Sequence, residues 1–130
     1  MKNEVKFYRC PTCGNIIMVV NNGGGQLVCC GAPMVLLRPN TTDAATEKHV
    51  PVAQSNGNVL TVSVGDVPHP MLPEHYIQWV YLVTENGGAF HYFNPGDEPQ
   101  VDFDISNTTP VAVYEYCNLH GLWKADIAEG

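Results

Sequence analysis

Four of the five cysteines lie in the first thirty positions, as Cys10, Cys13, Cys29 and Cys30. The first two form a C-x-x-C turn, a spacing that brings two thiolates to one ion, with Gly14 free to let the backbone fold beneath it. Fifteen residues later come two adjacent cysteines. Four thiolates at one centre make a tetrahedral, soft-ligand site suited to zinc or to a single iron. The adjacent pair is unusual, because neighbours on extended backbone point to opposite sides. Both can reach one ion only if the chain turns there, which predicts some distortion of the site. Spacing alone leaves a structural zinc knuckle and a redox iron equally open; a disulfide is the weaker alternative in a chain without a secretion signal.

A second group is spread over the rest of the chain. Cys117 and His120 stand three residues apart, a common separation for two ligands on one turn. His69 lies between Pro68 and Pro70, which restrict the backbone around its imidazole. His49 follows Glu47 and Lys48, so both charge signs sit beside a possible ligand; His75 and His91 complete the five histidines. Taken singly, each histidine is an ordinary structural or surface residue. The Cys117-x-x-His120 pair shifts that balance, since a late, isolated cysteine otherwise has no partner. A thiolate with several imidazoles fits iron, copper or zinc. A cysteine–histidine nucleophile and base is the alternative, with no evident oxyanion arrangement to support it.

The elements that must position these groups are short and extended. Segment 1–38 has candidate strands over residues 5–9, 16–20, 26–29 and 34–37, separated by Pro11-Thr12-Cys13-Gly14 and Asn21-Asn22-Gly23-Gly24-Gly25. A piece this small needs a staple, which the four cysteines supply. Residues 39–48 read as a linker with one helical turn after Thr42 or Asp43. From His49 the pattern has period two. Leu60, Val62 and Val64 alternate with polar residues, and Ile77, Trp79, Tyr81 and Val83 are expected on one face. Val101, Phe103 and Ile105 alternate with Asp102 and Asp104, and 110–117 and 122–127 are further strands. The expected architecture is all-β: a metal-stapled module over 1–38 followed by an antiparallel sandwich over 39–130.

Composition narrows the partners. The 130 residues carry six Lys and Arg against thirteen Asp and Glu, a net charge of −7 with the bases scattered, which argues against gripping nucleic-acid phosphates. The longest aliphatic run, Ile16 to Val20, is far too short to span a bilayer. The segment Met1 to Lys6 lacks the apolar core of a secretory signal, so a soluble cytoplasmic protein with no membrane partner is expected.

Three sets of residues, in order, resemble desulfoferrodoxin, the two-iron-centre form of superoxide reductase, over essentially the whole length. Tyr8-Arg9-Cys10-Pro11-Thr12-Cys13-Gly14-Asn15 with Leu27-Val28-Cys29-Cys30-Gly31 looks like its desulforedoxin-like module. Glu47-Lys48-His49-Val50-Pro51-Val52 and Pro68-His69-Pro70-Met71 with Glu74-His75-Tyr76-Ile77-Gln78-Trp79 look like its catalytic domain, as does Cys117-Asn118-Leu119-His120-Gly121-Leu122-Trp123-Lys124-Ala125. The resemblance implies an immunoglobulin-like β-sandwich holding a five-coordinate non-haem iron. His49, His69, His75 and His120 would be equatorial ligands and Cys117 the axial one; His91 falls outside every family motif. Iron, or zinc, would fill the four-cysteine centre.

The implied reaction adds one electron and two protons to superoxide, giving hydrogen peroxide. Ferrous iron with four neutral imidazoles and one thiolate carries a formal local charge of about +1, which attracts a small anion where the whole chain repels it. Salt screens the long-range repulsion beyond about 8–10 Å, so close-range attraction falls to the iron and to Lys48. The family reading makes Glu47 the sixth ligand of the oxidised iron. Each turnover needs an external electron, pointing to rubredoxin or a related donor, and the family implies a homodimer. The competing functions are a non-catalytic electron-transfer or metal-binding module, and a dismutase needing no donor.

Overall fold

The computed structural model describes residues 4–42, 46–65 and 69–127, with the side chains of Thr46 and Glu47 outside that description. The chain is essentially all-β and divides into two compact units, Met1–Arg38 and Pro39–Gly130.

The first unit is built from very short strands. β1 (Phe7–Arg9) is the centre of a three-stranded antiparallel sheet with β2 (Ile16–Met18) and β5 (Val35–Leu36) on either side. β3 (Val28–Cys29) and β4 (Ala32–Pro33) form a separate two-stranded hairpin. Between them Cys30 and Gly31 take φ of +53° and +74°. The chain therefore turns at the adjacent cysteines, as a shared centre requires; left-handed backbone is costly at a side-chain-bearing residue such as Cys30. Among the described residues of this unit only Phe7 and Cys10 are buried.

The second unit is an immunoglobulin-like sandwich. One sheet runs β10-β7-β6, with β6 (Pro51–Asn56), β7 (Val59–Val64) and β10 (Gln100–Asp104). The other runs β12-β11-β8-β9, with β8 (Ile77–Thr84), β9 (Gly87–Tyr92), β11 (Pro110–Cys117) and β12 (Gly121–Asp126). All pairings are antiparallel. Leu60, Val62 and Val64 from the first sheet meet Ile77, Val80, Leu82 and Val113 from the second, with Phe93 and Phe103 closing the core. Burying side chains of this size stabilises by roughly 1.5–3 kcal/mol each relative to leaving them exposed, so this unit, unlike the first, has a core of its own.

Three features differ from the sequence expectation. First, the stripe Ile77, Trp79, Tyr81, Val83 does not stay on one face. Tyr116 pairs with Trp79 but Cys117 pairs with Ile77, so Gln78 is an extra residue and the phase slips there. Ile77, Val80 and Leu82 enter the core, while Trp79 stacks on Tyr116 and Tyr81 packs on Phe90. Second, β9 carries no apolar alternation to announce it. Gly88 is needed there because a Cβ would overlap the Tyr81 hydroxyl and the Leu82 carbonyl. Third, the start of the expected linker is docked. The Asn40 side chain donates to the Lys124 carbonyl and accepts from the Lys124 N–H at 3.1 and 2.9 Å, and its own N–H donates to the Leu122 carbonyl. The helical turn expected after Thr42 or Asp43 falls largely on residues whose structure is not described, and the described helix is α1 (Thr46–His49). Asp43, Ala44 and Ala45 lie outside the described residues.

Candidate metal centres

Antiparallel pairing brings five strand ends together. Pro51 at the start of β6 pairs with Val64 at the end of β7. Cys117 at the end of β11 pairs with Ile77 at the start of β8 and with Gly121 at the start of β12. His49 closes α1 just before β6, His69 and His75 lie between β7 and β8, and His120 lies in the β11–β12 turn. That turn is closed by Gly121 at φ +82°, backbone that a residue with a side chain rarely adopts. Residues distant in sequence thus share one end of the sandwich.

There the donor atoms of His49, His69, His75, Cys117 and His120 all lie within 4.8 Å of one another. The four imidazoles form a closed ring in which His49 faces His69, His69 faces His75, His75 faces His120 and His120 faces His49. Each pair is edge-on, with centroids 4.6–5.0 Å apart. His69 Nε2 stands 3.0 Å from His49 Nε2, and His49 Nε2 stands 3.1 Å from His120 Nδ1. The Cys117 sulfur lies 3.5 Å from His69 Nε2 and 3.7 Å from His120 Nδ1. His75 Nε2 is buried without a hydrogen-bond partner. The Nδ1–H of His69 donates to the Pro70 carbonyl at 2.7 Å, which leaves Nε2 as the free lone pair.

Electrostatics point the same way. Burial lowers the His69 pKa to about 4, and the three neighbouring imidazoles add to the effect while the Pro70 carbonyl opposes it. Burial likewise lowers His75, with His120 next in size; Lys48 pushes in the same direction and Glu74 against it. These rings are therefore neutral at physiological pH, the form that ligates. Burial raises the Cys117 thiol, the N–H groups of Leu119 and His120 pull it back, and Glu115 pushes it up again. Four imidazoles and a buried thiol gathered around one point fit a transition-metal cation, which would offset the cost of the buried thiolate.

The four N-terminal cysteines form the other cluster. Cys13 Sγ lies 3.6 Å from Cys29 Sγ, and Cys29 Sγ 3.9 Å from Cys30 Sγ. The backbone N–H of Cys13 is the main influence lowering Cys10 to about 6. The Cys13 side chain is the main influence raising Cys30 to about 12, and Cys29 is raised for the same reason. Cys10 forms its thiolate readily while Cys29 and Cys30 resist, which is how sulfurs crowd before a cation neutralises them.

Of the remaining expected residues, Lys48 is exposed on α1 and its charge is felt at His75. The Glu47 side chain lies outside the described residues, as does Pro68. His91, on β9, packs edge-on against Phe93 and belongs to neither donor cluster. Two neighbours of the site carried no sequence signal of their role. Trp123 stacks on His49 at 4.9 Å and its indole N–H donates to the His120 carbonyl at 3.2 Å. Glu115 sits fully buried with neither carboxylate oxygen partnered, and burial raises its pKa well above the carboxylate range.

The family model described as Desulfoferrodoxin matches residues 41–126, and that described as Desulfoferrodoxin, N-terminal domain matches residues 2–37. A desulfoferrodoxin of Syntrophotalea carbinolica is 49% identical over 127 residues, covering 97% of this chain and 99% of its own. One from Nitratidesulfovibrio vulgaris is 48% identical over 126 residues, covering 97% and 99%. The crystal structure of a superoxide reductase from Treponema pallidum superposes with a TM-score of 0.79 at 34% identity, covering 95% of this chain and all of that one. With both family models matched in order and relatives near half-identical from end to end, the chain belongs to the desulfoferrodoxin family.

Proposed function

We propose that the chain is a superoxide reductase, an oxidoreductase that reduces superoxide to hydrogen peroxide with an electron from an external donor. The observation that carries the reading is the ring of four imidazoles converging with the Cys117 sulfur at one end of the sandwich. The likeness to the Treponema pallidum superoxide reductase supports it. In this reading residues 39–130 form the catalytic domain. His49, His69, His75, His120 and Cys117 would hold an iron. Such an iron, when bound, supplies the one-electron reduction and a local positive charge.

The chain's own residues prepare the encounter. The Pro70 carbonyl fixes the His69 tautomer, and Trp123 holds the faces of His49 and the His120 turn. Lys48, exposed beside His49, draws in the anion at short range against the repulsion of the net −7 chain. Glu47, two residues before His49, would supply a further carboxylate ligand to such an iron. Residues 1–38 hold a second iron, or zinc, on Cys10, Cys13, Cys29 and Cys30; its role is structural. A rubredoxin-like donor, a cytoplasmic location and a homodimer belong to the same proposal.

Replacing Cys117 with Ser tests the assignment. Iron-loaded Cys117→Ser should lose superoxide reduction by at least about a hundredfold while its four-cysteine absorption stays unchanged. Full activity in that variant would refute Cys117 as a ligand.

A further inference from the structure

Asn118 bonds to both sides of His75. Its Oδ1 accepts from the Tyr76 N–H at 2.9 Å, its Nδ2 donates to the Glu74 carbonyl at 3.0 Å, and its own N–H donates to the Tyr76 carbonyl at 3.3 Å. Asn118 itself stands between Cys117 and His120. The residue thus joins two segments that supply three members of the donor cluster. His75 is already held in a narrow turn, its N–H and carbonyl exchanging bonds with Leu72 at 3.0 and 2.9 Å. That turn is not part of a strand, so these local bonds fix its shape and leave its placement to something else.

We propose that Asn118 is the positioning residue that locks the His75 turn onto the Cys117–His120 turn and so sets the geometry of the fourth imidazole. The inference rests on the metal centre proposed above. The side-chain type suits the task. A carboxamide presents one acceptor and one donor as a peptide does, so it can bond a backbone N–H and a backbone carbonyl together. Aspartate lacks the donor, and glutamine is one methylene longer. His75 has the most need of such a bracket. His69 is anchored through its own Nδ1 and His49 is backed by Trp123, whereas His75 Nε2 has no protein partner. Its ring is placed by its backbone.

The test uses the full chain loaded with iron(II) and challenged with a strong chelator, following iron release and the amide exchange of Tyr76. Wild type should release iron in two phases, one of which is missing from Cys117→Ser and belongs to the histidine-rich centre. Asn118→Ala should accelerate that phase about 10–100-fold, speed Tyr76 exchange, and leave the four-cysteine phase alone. Asn118→Asp keeps the bond to Tyr76 and loses the one to Glu74, so it should fall between, and it serves if the alanine variant folds poorly. In a His75→Ala background, Asn118→Ala should add little, because its effect passes through His75. Release at the wild-type rate in both Asn118 variants would overturn the proposal. So would an undiminished acceleration in the His75→Ala background, which would make Asn118 a general stabiliser. A wild-type protein lacking the Cys117-dependent phase would instead overturn the metal centre itself, and this inference with it.

Discussion

The two units solve the same problem, holding soft donors around one point, in opposite ways. In residues 1–38 the strands are two or three residues long and only Phe7 and Cys10 are buried among the described side chains. The donors sit on turns and at the end of the two-residue strand β3, with little core behind them. In the sandwich, a core of Leu60, Val62, Val64, Ile77, Val80, Leu82 and Val113 exists without the centre, and the donors hang from strand ends fixed by antiparallel register. In the proposed reading, one unit would be organised by its metal and the other would organise one.

That contrast is easiest to break by removing the ions. Full chelation should unfold the first unit and leave the sandwich cooperatively folded, because only the former lacks a core. Amide exchange resolved by residue checks this: protection should vanish across β1, β2 and β5 and persist in β8 and β11. Equal loss in both units would erase the distinction.

A smaller effect is expected at Lys48. Replacing it with Ile should slow the reaction with superoxide by about threefold to tenfold at low salt, with the difference shrinking as ionic strength rises. An unchanged rate at low salt removes Lys48 from the mechanism.

The pH response of the metal-free sandwich should show its buried donors. Folded His69 resists protonation down to about pH 4, whereas an unfolded histidine takes a proton near 6.5. The unfolded state binds more protons between those values, so this contribution is intact above pH 6.5 and is lost as pH falls toward 4. Glu115 has the opposite sign. Its raised pKa keeps it protonated in the fold, so its stability contribution is full below the ordinary carboxylate range and declines as pH rises through it. Glu115→Leu should therefore raise the urea midpoint at pH 7.5 and have less effect at pH 4.5. A midpoint lowered at both pH values would show that Glu115 has a partner in the fold.

The smallest effect expected is in activity when the first centre is removed. Cys13→Ser should destroy the four-cysteine absorption yet leave superoxide reduction within about threefold, as a structural module predicts. A large loss would make that centre an electron relay.

Much of this arrangement was readable from residue type and spacing. The C-x-x-C turn and the adjacent cysteines required a backbone reversal, which Cys30 and Gly31 supply. The strict alternation around Phe103 marked β10. What escaped did so for physical reasons. β9 opens with Gly87-Gly88, where Gly88 answers the close approach of Tyr81 and no apolar period marks the strand. The bulge at Gln78 turns one stripe into two faces, and a one-residue slip leaves no mark in composition. Asn40 read as loop because an asparagine amide standing in for a peptide looks like any turn residue. Trp123 and Glu115 act through neighbours brought in by β-pairing, so their roles appear only once the register is known.

The central claim is that the histidine-rich centre reduces superoxide instead of dismutating it or merely holding metal. The direct measurement is peroxide formed per superoxide consumed, anaerobically, with excess reductant and a matched control without protein. One peroxide for each superoxide, with donor oxidation keeping pace, is the predicted result. Half that yield would mean dismutation, and an iron-loaded protein that left the control rate unchanged would contradict the catalytic reading altogether.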